Sequence, residues 1–314
     1  MSPALRLRGV RKAYGSVQAL DGLDIEVPRG VVCGLVGPNG AGKTTAFGIV
    51  GGVLRADAGE VDLLGAGRFD PRVHAGRVTL LPQDCELNPH TAVEDLLVFY
   101  GRLQGLSKTE ANRDAARSLE LVDLSDRRRM RVKQLSHGMR RRVAVAQAFL
   151  GDPDLVLLDE PNSGLDPTQV IRLRELFQAQ SGRRTLIISS HVLHELQATC
   201  DFVVMMDKGV CTLSGPLDEV TRVGQRVTIH IEGEAPLEAL RAALPDAQIE
   251  QERESIVVLG PPGTGVAELN ARALRVLLDH DVPIESVERG QSLEARWLDT
   301  RDTASKVRPA PTEG

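Results

Sequence analysis

Residues 37–45 read GPNGAGKTT, and they constrain the chain more than any other stretch. The pattern is G-x-x-x-x-G-K-S/T, set directly after the apolar run VVCGLVG (31–37) and before a helical stretch. A run that is apolar on both faces suits a central strand of a parallel sheet. Gly37, Gly40 and Gly42 permit a tight backbone path that turns successive N–H groups inward, and the N-terminus of the next helix adds its partial positive charge. Such a loop cradles phosphate. Lys43 is placed to reach the β- and γ-phosphates of a nucleotide as a point charge, and the Thr44 hydroxyl is the natural Mg2+ ligand. Thr45 can hydrogen-bond the α-phosphate, and Pro38, Asn39 and Ala41 complete the loop.

A second run, LVLLDEP at 155–161, ends four apolar residues in two carboxylates. This is the C-terminal edge of a buried strand, where α/β sheets place ligands. Asp159 is expected to hold Mg2+, mostly through its water shell. Glu160 is the candidate that polarises the attacking water, because phosphoryl transfer to water needs an acceptor in line with the leaving group. Many strands end in solvated acids; the phosphate loop gives this pair its chemical meaning.

Around these two runs the chain alternates strands and helices. LRLRGVRKAYG and LDIEVPRG alternate apolar and polar residues as half-buried strands do, and VTLLP (78–82), TLIISS (185–190) and FVVMMDKG (202–209) are further buried strands. The order reads as α/β with a mainly parallel sheet. Residues 88–150 read as a helical insert. Thr91 and Glu94 are spaced as a capping box, and so are Ser107 and Glu110. Beyond about Gly224 the order becomes β-α-β-β-α-β, which suggests a small ferredoxin-like sandwich. The boundaries are accordingly 1–222 for the first domain, 223–301 for the second, and 302–314 for a disordered tail.

Seven features in order make the chain resemble the ATP-binding subunit of ABC transporters over residues of roughly 4–220. They are Tyr14, the 37–45 loop, Gln83 in LPQD, LSHGM at 135–139, Asp159 with Glu160, SGLD at 163–166, and His191 in SSHVLHE. The resemblance implies a P-loop NTPase ABC-type ATPase core with a helical subdomain, plus the small α+β C-terminal domain, with ATP and Mg2+ as cofactors. It implies that Tyr14 stacks on adenine, packing against the sheet being the competing role. Gln83 then touches Mg2+ or water and the surface that meets a membrane subunit, and His191 contacts the γ-phosphate. His194 stays structural. Ser136 and Gly138 would approach the γ-phosphate bound by a second subunit in a head-to-tail dimer, with Ser136 capping its helix. Asp166 would act across the same interface. His137 stands where the family usually has glycine and Met139 where it usually has glutamine. An imidazole there adds bulk and a titratable charge, which bears on how tightly the dimer closes; packing at the dimer edge is the alternative.

The segment PIESVERGQSLEARWLD at 283–299 resembles the closing motif of the accessory domain in drug-resistance-type and other exporter ATPases. The expected function is therefore the ATP-hydrolysing subunit of an exporter, pairing with an identical or similar cassette and with a separate integral membrane permease. It would be cytoplasmic and peripheral on the inner membrane face. The alternatives are a soluble ABC-type ATPase on ribosomes or DNA, and a scaffold that binds ATP but barely hydrolyses it. Such soluble ATPases carry two cassettes or long coiled coils, and this chain has one cassette and no sustained heptads. Lys43 and Glu160 together speak against the scaffold.

Composition excludes further classes. No stretch approaches the ~20 apolar residues of a membrane span. The opening MSPALRLRGVRK lacks the apolar centre of a signal peptide. Cys33, Cys85, Cys200 and Cys211 lack paired spacing, which disfavours zinc and a disulfide framework. Residues 221–314 hold 11 Lys/Arg against 16 Asp/Glu, so the whole net charge of −5 sits there and no nucleic-acid partner is expected. Met139, Val143, Ala146 and Leu150 recur at helical spacing as a buried face. Arg140, Arg141 and Arg142 then read as a solvated or acid-paired helix surface. Lys43→Ala is expected to lower ATPase turnover about a hundredfold or more, measured as phosphate release at saturating ATP.

Overall fold

The computed structural model describes residues 2–221, 225–252, 254–261, 265–290, 293, 296 and 297. The chain forms two compact units, Met1–Gly215 and Pro216–Gly314. The expected tail at 302–314 and the boundary at 222/223 lie outside the described residues, as does part of the segment 283–299.

The first unit carries nine strands, β1 (Leu5–Tyr14), β2 (Val17–Val27), β3 (Val32–Val36), β4 (Ala58–Leu63), β5 (Val78–Leu81), β6 (Leu155–Asp159), β7 (Thr185–Ser190), β8 (Phe202–Asp207) and β9 (Val210–Pro216). β1 pairs antiparallel with β2 and β4. The six remaining strands form a second sheet in the order β5-β6-β7-β3-β8-β9. Its pairs β5–β6, β6–β7, β7–β3 and β3–β8 are all parallel. β3, β6 and β7 are buried at every position. That follows from the apolar runs at their centres, LVLL in β6 and LII in β7, since a strand covered on both faces cannot alternate with polar residues; the polar residues Asp159, Thr185, Ser189 and Ser190 stand at the strand ends. Leu35, Phe47, Leu155, Leu157, Ile187 and Val204 share one core with Leu5, Leu23 and Leu63, so the two sheets fold as one body.

The helical insert contains helices Val93–Leu103, Lys108–Leu121 and His137–Ala148. The Ser107 hydroxyl accepts from the Glu110 N–H while the Glu110 carboxylate accepts from the Ser107 N–H, the reciprocal pair that spacing predicts. The other expected box does not form. The helix at 93 is capped by Ala92 without a side-chain bond. Its first N–H groups are taken by backbone, Val93 donating to the Met130 carbonyl and Glu94 to that of Arg128. A returning chain segment thus does the work a Thr91 side chain would have done.

The second unit carries β10 (Gln225–Ile231), β11 (Gln248–Glu252), β12 (Ser255–Gly260) and β13 (Ile284–Arg289), with helices Leu237–Ala243 and Val266–Asp279. The order is β11-β12-β10-β13, antiparallel throughout. Val227, Ile229, Leu240, Ile256, Leu269 and Leu277 form its separate core. Among the described residues no helix is long and apolar enough to cross a membrane. Ser107→Ala is expected to cost about 1 kcal/mol in urea unfolding, whereas Thr91→Ala stays within about 0.5 kcal/mol of the parent.

Candidate active site

The phosphate loop, both acids and the histidine meet at the C-terminal edge of the six-stranded sheet. Parallel register causes this: Asp159 lies opposite Ser189 across β6–β7, and Val36 opposite Ser190 across β3–β7. The ends of three neighbouring strands therefore stop at one level, and the loops that leave them share one space.

After β3 the backbone turns through Gly42 at φ 101, a left-handed conformation that L side chains avoid. A Cβ there would also stand 2.6 Å from the Ala19 carbonyl oxygen, and one on Gly37 would stand 2.5 Å from that of Met206. The loop is thus glycine-bound by sterics at both ends. Lys43 opens the helix Lys43–Val50 and is only 7% exposed. Its ammonium donates to the carbonyls of Gly37 at 2.6 Å and Pro38 at 3.2 Å. Burial pulls the Lys43 pKa down, while the charges of Glu160 and Asp159 push it back up. Asn39, Gly40, Ala41, Thr44 and Thr45 line a cavity of about 490 Å3 together with Tyr14, Gln83, Asp159, Glu160 and His191. That is a usual volume for a small-molecule site.

The Asp159 side chain is buried at 1% exposure, and its Oδ1 accepts from the Ser189 hydroxyl. Its Oδ2 is buried with no protein partner. A buried carboxylate oxygen without a donor is costly by itself, and this one belongs to a residue lining a cavity shared with the Thr44 hydroxyl and the Gln83 amide. That donor set of oxygens fits a hard divalent cation. Ser189 works in both directions, since its Oγ also accepts from the Glu160 N–H at 2.9 Å. Glu160 itself has φ 48, an unusual value for a glutamate. Its carboxylate lies 3.0 and 3.1 Å from His191 Nδ1. Facing an ionised carboxylate, Nδ1 is the nitrogen that carries the proton, which leaves Nε2 outside this bond. Tyr14 is 48% exposed, with Lys12 Nζ 5.7 Å from its ring centroid. Its ring is therefore not consumed by packing against the sheet. Gln83 also lines an adjoining groove with Asp84, Glu86, Lys133 and Arg140.

Ser136, Gly138 and Asp166 are not among the cavity residues. Ser136 is exposed and caps its helix, its Oγ accepting from the Met139 N–H at 3.2 Å. Gly138 is buried, and a Cβ on it would collide with Gln169 Oε1. Asp166 caps the helix Pro167–Gln178, accepting from the Gln169 N–H at 3.0 Å and bonding the Gln169 amide. His137 lies over Gly164 of the SGLD loop: a Cβ on Gly164, at φ 74, would be 2.5 Å from His137 Nε2. The imidazole thus packs on its own chain's loop.

The arginine run corrects the sequence expectation. Val143, Ala146 and Leu150 are fully buried as expected, whereas Met139, in the first turn of the helix, is only half-buried, and Arg141 and Arg142 are also buried, each 8% exposed. Arg142 Nη1 donates to the Val122 carbonyl at 2.9 Å, and Arg140 Nη1 to that of Leu135 at 3.0 Å. Arg141 donates to the carbonyls of Gln83 (3.0 Å), Asp159 and Glu160 (both 2.8 Å) and Pro161 (3.2 Å). The helix is enclosed on several sides, and guanidinium groups satisfy carbonyls that strand and helix ends leave free. Burial lowers the pKa of Arg141 from its ordinary value, offset in part by Cys85, Asp159, Asp84 and Glu160. Sequence reasoning missed Ser189, which could have been found as a hydroxyl at the end of a buried strand neighbouring the acids. Ser163, the first residue of SGLD, also lines the cavity.

The ABC transporter family profile matches residues 20–163. The chain is 32% identical over 317 residues to the daunorubicin resistance ATP-binding protein DrrA3 of Streptomyces coeruleorubidus, with 98% of each chain covered. The chain belongs to the ABC transporter family. Within this family it is 36% identical to the Nod factor export ATP-binding protein I of Cupriavidus pinatubonensis, covering 67% of this chain and 65% of that one. A solved ATP-binding subunit of an ABC transporter superposes with a TM-score of 0.63 at 27% identity, covering 70% of this chain and 92% of its own. A dimeric cassette bound to ADP and Pi shares the fold, with a TM-score of 0.63 at 21% identity, covering 68% of this chain and 98% of that one. The chain is thus an ATP-binding cassette subunit and an ATPase. The contact between His137 and Gly164 makes the two positions interdependent in this ABC subunit. In a double-mutant cycle of His137→Gly and Gly164→Ala, the alanine is expected to destabilise more when His137 is present, with a coupling of about 1 kcal/mol in urea unfolding.

Proposed function

We propose that this chain is the ATP-hydrolysing subunit of an exporter, driving a separate membrane permease through dimerisation of two cassettes. The observation that carries the reading is the convergence of Lys43, Asp159 and the Glu160–His191 pair on one cavity. Tyr14 offers an exposed ring to adenine. The loop N–H groups from Gly40 to Thr45 take the phosphates, and Lys43 exchanges its loop carbonyls for β- and γ-phosphate oxygens. Asp159 Oδ2, Thr44 and Gln83 are the groups that would hold Mg2+, which supplies charge neutralisation on the β- and γ-oxygens when bound. Glu160 accepts the proton of the attacking water, and His191 orients the carboxylate through Nδ1.

Ser136 supports the dimeric part of the reading. It is exposed, heads a twelve-residue helix and is not one of its own chain's cavity residues. Its hydroxyl and the positive end of the helix are thus available to the terminal phosphate on a second cassette, with Gly138 behind it and Asp166 acting across the same interface. The relatives named for daunorubicin resistance and Nod factor export favour export. The chain then sits on the cytoplasmic membrane face through its permease. The β-α-β-β-α-β unit after 215, with its antiparallel order β11-β12-β10-β13, is a ferredoxin-like accessory domain in this reading.

Glu160→Gln tests the assignment, since it keeps size and hydrogen bonding but removes the base. Turnover is expected to fall roughly 100–1000-fold while ATP affinity holds, and an ATP-loaded dimer should accumulate on size exclusion. Parent-rate hydrolysis by that variant would remove Glu160 from its role.

A further inference from the structure

Glu160 must be aimed at the terminal phosphate, yet its backbone sits at φ 48. A non-glycine residue stays in this region only where its surroundings hold it there. The Ser189 hydroxyl accepts from its N–H. The other side of the peptide is held by Arg141: Nη2 donates to the carbonyls of both Asp159 and Glu160 at 2.8 Å, and Nε to that of Pro161 at 3.2 Å. These three consecutive carbonyls span the turn that carries the acid pair. The remaining arm of the fork, Nη1, reaches the Gln83 carbonyl at 3.0 Å. Arg141 lies on the helix that Ser136 caps. One buried guanidinium therefore ties together the strand end bearing the two acids, the Gln83 loop and the helix whose head is offered to a second cassette.

Its neighbours are built differently. Arg140 and Arg142 donate to carbonyls within the helical insert, of Leu135, Val122 and Asp123, so neither touches the acid-bearing turn. The planar fork is what the arrangement needs, because three nitrogens at fixed angles meet four carbonyls arriving from two loops. A lysine has one nitrogen and cannot span them. Both the acid turn and the Gln83 loop thus move with this helix or not at all.

We infer that Arg141 is a positioning residue for hydrolysis: it holds Glu160 in its left-handed turn and couples that turn to the Gln83 loop and to the helix headed by Ser136. The inference rests on the reading of Glu160 as the group that activates water. Arg141 touches backbone carbonyls of the loop and not the phosphate loop, so its loss should leave nucleotide binding intact and slow the chemical step.

The test compares Arg141→Gln, Arg141→Lys, Glu160→Gln and the double variant Arg141→Gln/Glu160→Gln in the full chain. Measured are ATP affinity, kcat and KM, and the melting temperature. For Arg141→Gln, kcat is expected to fall roughly 10–100-fold with KM and ATP affinity within about twofold of the parent. Arg141→Lys should recover little of that loss. In the double variant, the residual rate should match that of Glu160→Gln alone, because once the carboxylate is removed Arg141 has no base left to aim. Parent kcat in Arg141→Gln with a slow Glu160→Gln would overturn the inference and leave the Glu160 assignment standing. Parent kcat in Glu160→Gln would overturn the Glu160 assignment instead. Losses that multiply in the double variant would show that Arg141 acts elsewhere and defeat the inference. If Arg141→Gln fails to fold, Arg141→Lys carries the kcat-against-KM comparison; failure of both to fold would make the residue purely structural and overturn the inference too.

Discussion

The parallel register of β6, β7 and β3 is the constraint from which the site follows. It sets Asp159 beside Ser189 and Val36 beside Ser190, so the phosphate loop, the two acids and the histidine loop leave the sheet at one level. A shift of one residue in the β6–β7 pairing would turn the Asp159 side chain to the opposite face relative to Ser189. Register in turn is held by burial. Every residue of these strands is enclosed, and a slip would have to break packing on both faces at once.

Polar groups buried at that edge are satisfied by backbone more than by opposite charge. Lys43 rests on the carbonyls of Gly37 and Pro38, and Arg141 on four carbonyls from two loops. A cation so placed avoids the penalty of an unpaired buried charge without neutralising the carboxylates nearby. Asp159 Oδ2 consequently keeps a free oxygen, and Glu160 keeps a carboxylate shared with His191 alone among the described bonds. Surface ion pairs such as Arg172–Asp123, more than half exposed on both sides, belong to a different class. Pairs of that kind contribute about 0–1 kcal/mol each and do not shape the site.

The separation of LSHGM (135–139) from its own chain's phosphate loop is the second structural theme. Ser136 and Asp166 each cap a helix, and the Gln169 amide that bonds Asp166 lies against Gly138 in the first turn of the Ser136-capped helix. His137 closes over Gly164. One of the two places where the sequence departs from the family pattern, His137, is thus filled by a contact within the chain. The imidazole needs a glycine opposite it, and SGLD supplies one.

Local pattern was enough for much of this protein. The unbroken apolar runs announce buried parallel strands. The loop 37–45 announces a phosphate site because glycine, lysine and threonine at that spacing have few other uses, and Ser107 with Glu110 caps a helix because both partners lie within one turn. Tertiary structure decided what depends on partners far apart in sequence. The helix at 93 is capped by backbone some 35 residues away, so Thr91 lost the role its spacing suggested. Arg141 looked like a surface residue because its four acceptors are main-chain carbonyls, which every residue carries and no sequence distinguishes. Side-chain chemistry is written in the residue names, whereas the position of a carbonyl is set only by the path of the folded chain.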